Sequence, residues 1–420
     1  MDRRSFLLQP GAVALLGALG SNALAVSRPR LQRDAAVERR IAEIVQAYDS
    51  QGNHRTATAG DIAAAEWLQA EIRAMGATPQ LEAFPIDRVD PGPAYLDIGG
   101  RRIDGVPVFD AAFSGAEGVK GRLGALGSDA EIALVESDPY VLLEPQREQR
   151  SAVAEARKSK HTAAVILTRG SVPGLFLLNA IAFMSPSGPP MLQVSAVESE
   201  RLKKHAASLG EITLHARASR TATRASNVVV RFAGRDASLP PLVVSTPRSG
   251  WWQCAGERGG GIACWLETIR AIAAISPERE VLFAAFSGHE TGFIGIEDYL
   301  ARRSDLAKSV ELWIHYGANM GVPNQENLFN ASEPSVARWA GAALEAKGLA
   351  IDHLADSKTL PRGEARAIHR NGARYVSMVC GTDLFHNPGD RWPEAVDVGE
   401  LGAYASAFSR AVAELAMKKA

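Results

Sequence analysis

Apolar positions recur at helical spacing over residues 35–48 and 60–75. In the second stretch Ile62, Leu68, Ile72 and Met75 share a face, and Gly76 is a natural stop. Residues 79–86 read as a strand. From about 106 to 222 the pattern changes: short strands at 132–136, 163–167 and 189–194 surround a helix at 151–160. From 226 onward apolar, β-branched runs alternate with helical stretches. Strands are expected at 226–232, 242–246, 280–287, 310–316 and 373–380, and helices at 260–275, 293–303, 334–347 and 397–417. This alternation predicts an α/β fold with a mostly parallel sheet and helices on both faces. A smaller domain at 106–222 interrupts a body formed by 30–105 and 223–420.

The chain has 420 residues, with 46 Lys and Arg against 47 Asp and Glu, a formal net charge of −1. With no long run of one sign, nucleic acid is not expected as a partner. Three cysteines, Cys254, Cys264 and Cys380, are too few for a disulfide scaffold and leave room for at most one bridge. Residues 1–25 carry the marks of an export signal. Arg3-Arg4 precedes an apolar run from Leu8 to Leu19, and Ala23-Leu-Ala25 follows. The run is short for a membrane span and holds Pro10 and Gly11, so cleavage is expected rather than anchoring. The expectation is a periplasmic or secreted protein, off the membrane once cleaved, with oligomeric state open.

Three segments carry candidate chemistry. Val281–Gly295 reads as buried strand, turn and helix, and sets His289 and Glu290 at the carboxyl end of the strand, where open α/β sheets keep their sites. Phe385-His-Asn-Pro-Gly-Asp390 offers His386 and Asp390. Upstream lies Cys254-Ala-Gly-Glu-Arg-Gly-Gly-Gly261. Together these resemble the sites of the zinc aminopeptidase family that also holds glutamate carboxypeptidases and glutaminyl cyclases. The resemblance spans roughly 35–105 and 223–418, and the order of elements in 106–222 resembles an inserted protease-associated domain. Such inserts shape access to a site and carry no catalytic residues.

The resemblance implies two zinc sites, and this chain departs from them unevenly. Pro247 stands where the family has its first His, and a proline binds no zinc. Gly317 or Asn319 stands where a later Asp belongs, and His289 replaces the general-base Glu. Both ligands private to one zinc are thus gone. The positions for the other hold Glu257, Glu290 and His386, a trio with an open fourth position, as a single catalytic zinc requires. Glu257 is one methylene longer than the family's Asp, and Gly259, Gly260 and Gly261 are expected to let the backbone give way for it.

His289 has three readings: general base toward metal-bound water, direct ligand, or a hydrogen-bonding residue at a strand end. For Glu290 and His386 the competing reading is an ion pair or capped loop, and for Glu257 a salt bridge with Arg258. Asp390 is expected either to orient His386 from behind or to cap the turn, and His315 to be a core histidine. Arg248 or Arg258 would hold a substrate carboxylate, while Trp251 or Trp252 stacks on an apolar group; alternatively a tryptophan plugs the space of the missing zinc. The expected function is a single-metal hydrolase of peptide or other amide bonds. The alternatives are a degenerate peptidase-like binding protein without metal and a glutaminyl-cyclase-like acyltransferase.

Overall fold

The computed structural model describes residues 31–138, 151–323 and 325–419. Residues 1–25, read from the sequence as an export signal, lie outside them. The strands are β1 (Gln80–Ile98), β2 (Arg101–Asp104), β3 (Val106–Pro107), β4 (Val119–Ala125), β5 (Ile132–Ser137), β6 (Ala163–Thr168), β7 (Met191–Ser195), β8 (Glu211–Phe232), β9 (Leu242–Pro247), β10 (Val281–Phe286), β11 (Leu312–Tyr316), β12 (Asn327–Ala331), β13 (His353–Ala355) and β14 (Tyr375–Cys380).

The core of the body is the parallel set β10, β9, β11 and β14. Every residue of β9 and β11 is buried, which is why these segments read as continuous apolar runs without alternation. Antiparallel β8 flanks the set on one side, and β12 followed by β13 on the other. One face is covered by helices Ala35–Asp49, Gly260–Ala273 and Val398–Ala416, whose Val45, Trp265, Ile269 and Phe408 join one core with Val244 and Ile314. The opposite face buries Ile296, Tyr299 and Ile368 from helices Ile294–Ala301 and Ala365–Arg370 against Val243, Trp313 and Tyr375. The α/β reading with helices on both faces is borne out.

The 22-residue β8 joins the two parts of the molecule. Its last third pairs with β10 through Val281–Ala285, and its first residues pair with β4 through Val119–Arg122. Along most of its length it pairs with β1, with a register shift between Pro91 and Ala94. Beyond it, β4, β5, β6 and β7 run parallel and enclose a separate core of Leu123, Ile132, Val165 and Leu192. The inserted segment is therefore hydrogen-bonded into the same sheet as the body. Among the described residues no helix is long and apolar enough to cross a membrane, and the three cysteines are free and buried.

Candidate active site

The carboxyl ends of β9, β10, β11 and β14 meet in a buried polar cluster. Beyond β9 the chain makes a single π-type turn, Ala255–Gly259, before the helix Gly260–Ala273 begins. Cys254 enters it with φ 56°, and its carbonyl accepts from both Arg258 N and Gly259 N. Turns of this kind concentrate at functional sites because they re-aim side chains without ending the helix. Here the turn points Glu257 and Arg258 inward, and both are fully buried. Asp390 holds the turn in place: its Oδ1 accepts from Gly256 N at 2.7 Å and its Oδ2 from Glu257 N at 2.9 Å. Asp390 thus orients Glu257 through the backbone. Burial pushes its carboxyl up to about 7, against the pull of those two amides.

Two of the three glycines have a different role from the one expected. Gly260 and Gly261 lie in the helix, and a side chain there has no room: a Cβ on Gly260 would fall 2.1 Å from Met320 O, and one on Gly261 would fall 2.7 Å from Thr246 Oγ1. They let the helix dock directly on the loop after β11. Gly260→Ala is expected to cost about 3 kcal/mol, the scale of forced overpacking against backbone that cannot rotate away. Urea unfolding would measure it, and a loss under about 1 kcal/mol would contradict the close approach.

Glu257 Oε1 lies 2.6 Å from Arg258 Nη2 and 3.3 Å from His386 Nε2. Burial alone would raise the Glu257 carboxyl, but Arg258 and then His386 outweigh it and hold it at about 2. Both contacts lie off hydrogen-bond axes, so Glu257 Oε1, Arg258 Nη2 and His386 Nε2 are buried without hydrogen-bond partners. Arg258 Nε also donates to Ser249 O at 2.7 Å. His386 Nδ1 donates to Leu177 O at 2.6 Å.

Glu290 is committed elsewhere. Thr56 donates to its Oε1 from both N (2.6 Å) and Oγ1 (2.5 Å), and Ser249 Oγ donates to its Oε2 at 2.8 Å. Ser249 Oγ in turn accepts from Gly288 N and His289 N, so the turn after β10 is laced to the loop after β9. His289 faces a residue that nothing in the sequence singled out. Its Nδ1 is 3.2 Å from Glu364 Oε1, and both side chains are buried. Burial, helped by the charges of Arg258 and His386, pushes His289 well below its usual range. Burial pushes Glu364 up to about 8; Arg258 opposes this and Glu290 adds to it. Burial thus favours the uncharged form of both members of the pair.

The remaining candidates separate clearly. Arg248 is turned inward, donating to Asp61 Oδ1 and Asp61 O at 2.7 Å each, in a pair that is 1% and 2% exposed. Neither it nor Arg258 reaches open space, so the placement offers no arginine clamp from this loop. His315 Nδ1 bonds Ser245 Oγ at 3.0 Å within the core, and burial sets it at about 3. Asn319 follows β11 with φ 64° and donates to Cys380 O. Trp252 is half-buried and Trp251 only 2% exposed. Both border a cleft of about 420 Å³, lined also by Arg55, Phe109 and Leu177, between the body and the inserted segment. Residues 173–181 of the insert cross over the cluster: Ala180 N donates to Glu290 O, and Trp251 Nε1 donates to Asn179 Oδ1.

Could this cluster hold a zinc ion? Glu257 Oε1 and His386 Nε2 make a pair of donors, but the third position is closed, because both Glu290 oxygens already accept hydrogen bonds. The place opposite Glu257 is taken by a permanent cation. Drawing Glu257 onto a metal would leave the Arg258 guanidinium buried beside a dication with its carboxylate removed. Among the described residues no group of three His, Cys, Asp or Glu side chains is arranged to hold a metal ion. The residues as arranged do not fit zinc.

The body defines the class as an α/β protein with a parallel central sheet and its polar residues gathered at the strands' carboxyl ends. Residues 225–412 match the model of peptidase family M28, and the resemblance read from the sequence is borne out. The fold is shared with the zinc aminopeptidase BSAP from Bacillus subtilis (TM-score 0.70, 19% identity, 91% of this chain and 95% of that one). It is also shared with a peptidase M28 precursor from Shewanella amazonensis (0.70, 15%, 92% and 97%) and an aminopeptidase from Aneurinibacillus sp. strain AM-1 (0.68, 15%, 91% and 94%). No curated protein matches the sequence. The family match supports a hydrolase of the zinc aminopeptidase kind and, with it, peptide substrates.

Proposed function

We propose that this chain recognises peptides or other amide-bearing small molecules in the tryptophan-lined cleft, in a peptidase fold whose metal centre has been replaced by an arginine. One observation carries the reading: the Arg258 guanidinium sits against Glu257 where the ligand set would need a metal. A metal centre supplies a Lewis acid and an activated water, and neither role passes to a guanidinium whose carboxylate partner is already in contact. What the chain's own residues provide is a closed ion-pair cluster behind a wall formed by Trp252 and Leu177, and an open cleft in front of it. The reading includes export through the Arg3-Arg4 signal, and residues 106–222 as a protease-associated-like insert that forms one side of the cleft.

A second reading keeps a single-metal hydrolase, acting on peptide or amide bonds. It is favoured by the family match and by the two unpartnered atoms, Glu257 Oε1 and His386 Nε2, that face each other. Elemental mass spectrometry of the protein exported in its native host separates the two, run beside His386→Ala. The expected result is no stoichiometric zinc in either protein, with peptide binding unchanged by the substitution. One zinc per chain, lost in His386→Ala, would sink the first reading and establish the second.

A further inference from the structure

The walls of the cleft are one-sided in their chemistry. Both indole N–H groups are already spent, Trp251 Nε1 on Asn179 Oδ1 at 3.0 Å and Trp252 Nε1 on His386 O at 2.9 Å. The two rings, with Phe109, Val106, Leu177 and Pro91, therefore offer only apolar surface. Phe109 meets Trp251 edge to face at 5.1 Å between centroids, which fixes that corner.

Into this apolar space comes one charge. Arg55 lines the cleft, with its guanidinium carbon 5.1 Å from the centre of the Phe109 ring. Its Nη1 donates to Val89 O at 2.7 Å. Among the described residues no carboxylate lies within ion-pair distance of it, because the nearby Asp90 is bound by Arg88 and Glu290 by Thr56 and Ser249. Burial pulls the Arg55 guanidinium below its usual value, against the charges of Glu290 and Asp90. A half-buried guanidinium keeps a strong preference for a carboxylate that can take two of its N–H groups.

We infer that the cleft takes a ligand ending in a single carboxylate next to an apolar or aromatic group, with Arg55 holding the carboxylate and Trp251, Trp252 and Phe109 enclosing the apolar part. One guanidinium matches one negative charge, and a cleft of about 420 Å³ suits a ligand the size of one or two residues. Within the proposed function, on which this inference rests, the ligand is the carboxyl-terminal end of a short peptide or an N-acylated amino acid.

The test is a fluorescence titration of the full chain, with Trp251 and Trp252 as reporters, against N-acetyl-phenylalanine and its carboxamide. The acid is expected to bind at least tenfold tighter than the amide. Arg55→Gln removes the difference by weakening the acid alone, and Arg55→Lys keeps part of it. Raising the salt concentration narrows the gap in the wild type. Equal binding of acid and amide, unaffected by Arg55→Gln, would overturn the carboxylate assignment while leaving amide recognition in the cleft. If neither compound nor any short peptide binds, the cleft reading itself falls.

Discussion

Arg258→Met is expected to destabilise the fold by about 3–5 kcal/mol, the usual consequence of removing one member of a fully buried ion pair. Glu257 would keep its charge with only His386 beside it, in surroundings that burial makes hostile to a carboxylate. The loss should show as a melting temperature lower by several degrees. Removing both charges, as Glu257→Gln with Arg258→Met, should recover much of the loss, since the penalty comes from the unpaired charge rather than from a missing attraction. Zinc adds a second readout: it should leave the melting of the wild type unchanged, because Arg258 occupies the place beside Glu257 Oε1 and both Glu290 oxygens are committed. A single variant that melts with the wild type would mean that the guanidinium does not hold this cluster together.

Stability should fall by about 2 kcal/mol between pH 6.5 and 8, and Glu364→Gln should flatten the decline. Glu364 titrates at about 8 in the folded chain and near ~4.3 when unfolded. Its contribution is complete below the lower value and is lost as pH rises through the upper one. Asp390, at about 7, acts in the same direction over a shorter range. Groups with lowered values act oppositely, the buried His289 and His315 among them. His54, stacked on Tyr48 and set at about 4 by burial, contributes above ~6.5 and loses its effect as pH falls through 4. Glu257, at about 2, loses its effect only in stronger acid. Above pH 6.5 the raised carboxyls dominate, so the slope is downward. Urea midpoints across this range would check it, and an equal slope in Glu364→Gln would show that Glu364 does not carry the proton.

The body was legible because its strands are both apolar and regularly spaced: β9 and β11 are buried along their whole length, and nothing but a central strand suits such runs. The meeting of Glu257 with His386 was also readable, because each stands at a position the family fills with a ligand. The orientation of Glu290 was not. It depends on Thr56, more than two hundred residues away and with no mark in its own neighbourhood. Glu364 was missed for a similar reason, since it opens a six-residue helix after an irregular loop and gains its meaning from facing His289. The adjacent Glu257-Arg258 did carry a signal. An arginine beside a would-be ligand announces a competing cation, and the π-type turn is what brings both side chains inward. The glycine triplet was read as backbone freedom, whereas Gly260 and Gly261 make room for the loop after β11 and Gly259 lies against Val45.

The strap of residues 173–181 does more than cover the cluster. A carbonyl oxygen accepts and never donates, so the bond to Leu177 O keeps a hydrogen on Nδ1 of His386. A hydrogen bond of a body histidine is thereby set by Leu177, 209 positions earlier in the chain. Any motion that lifts the strap breaks the hydrogen bonds between Leu177 and His386 in both directions, so the docking of residues 173–181 and the hold on the His386 ring are coupled.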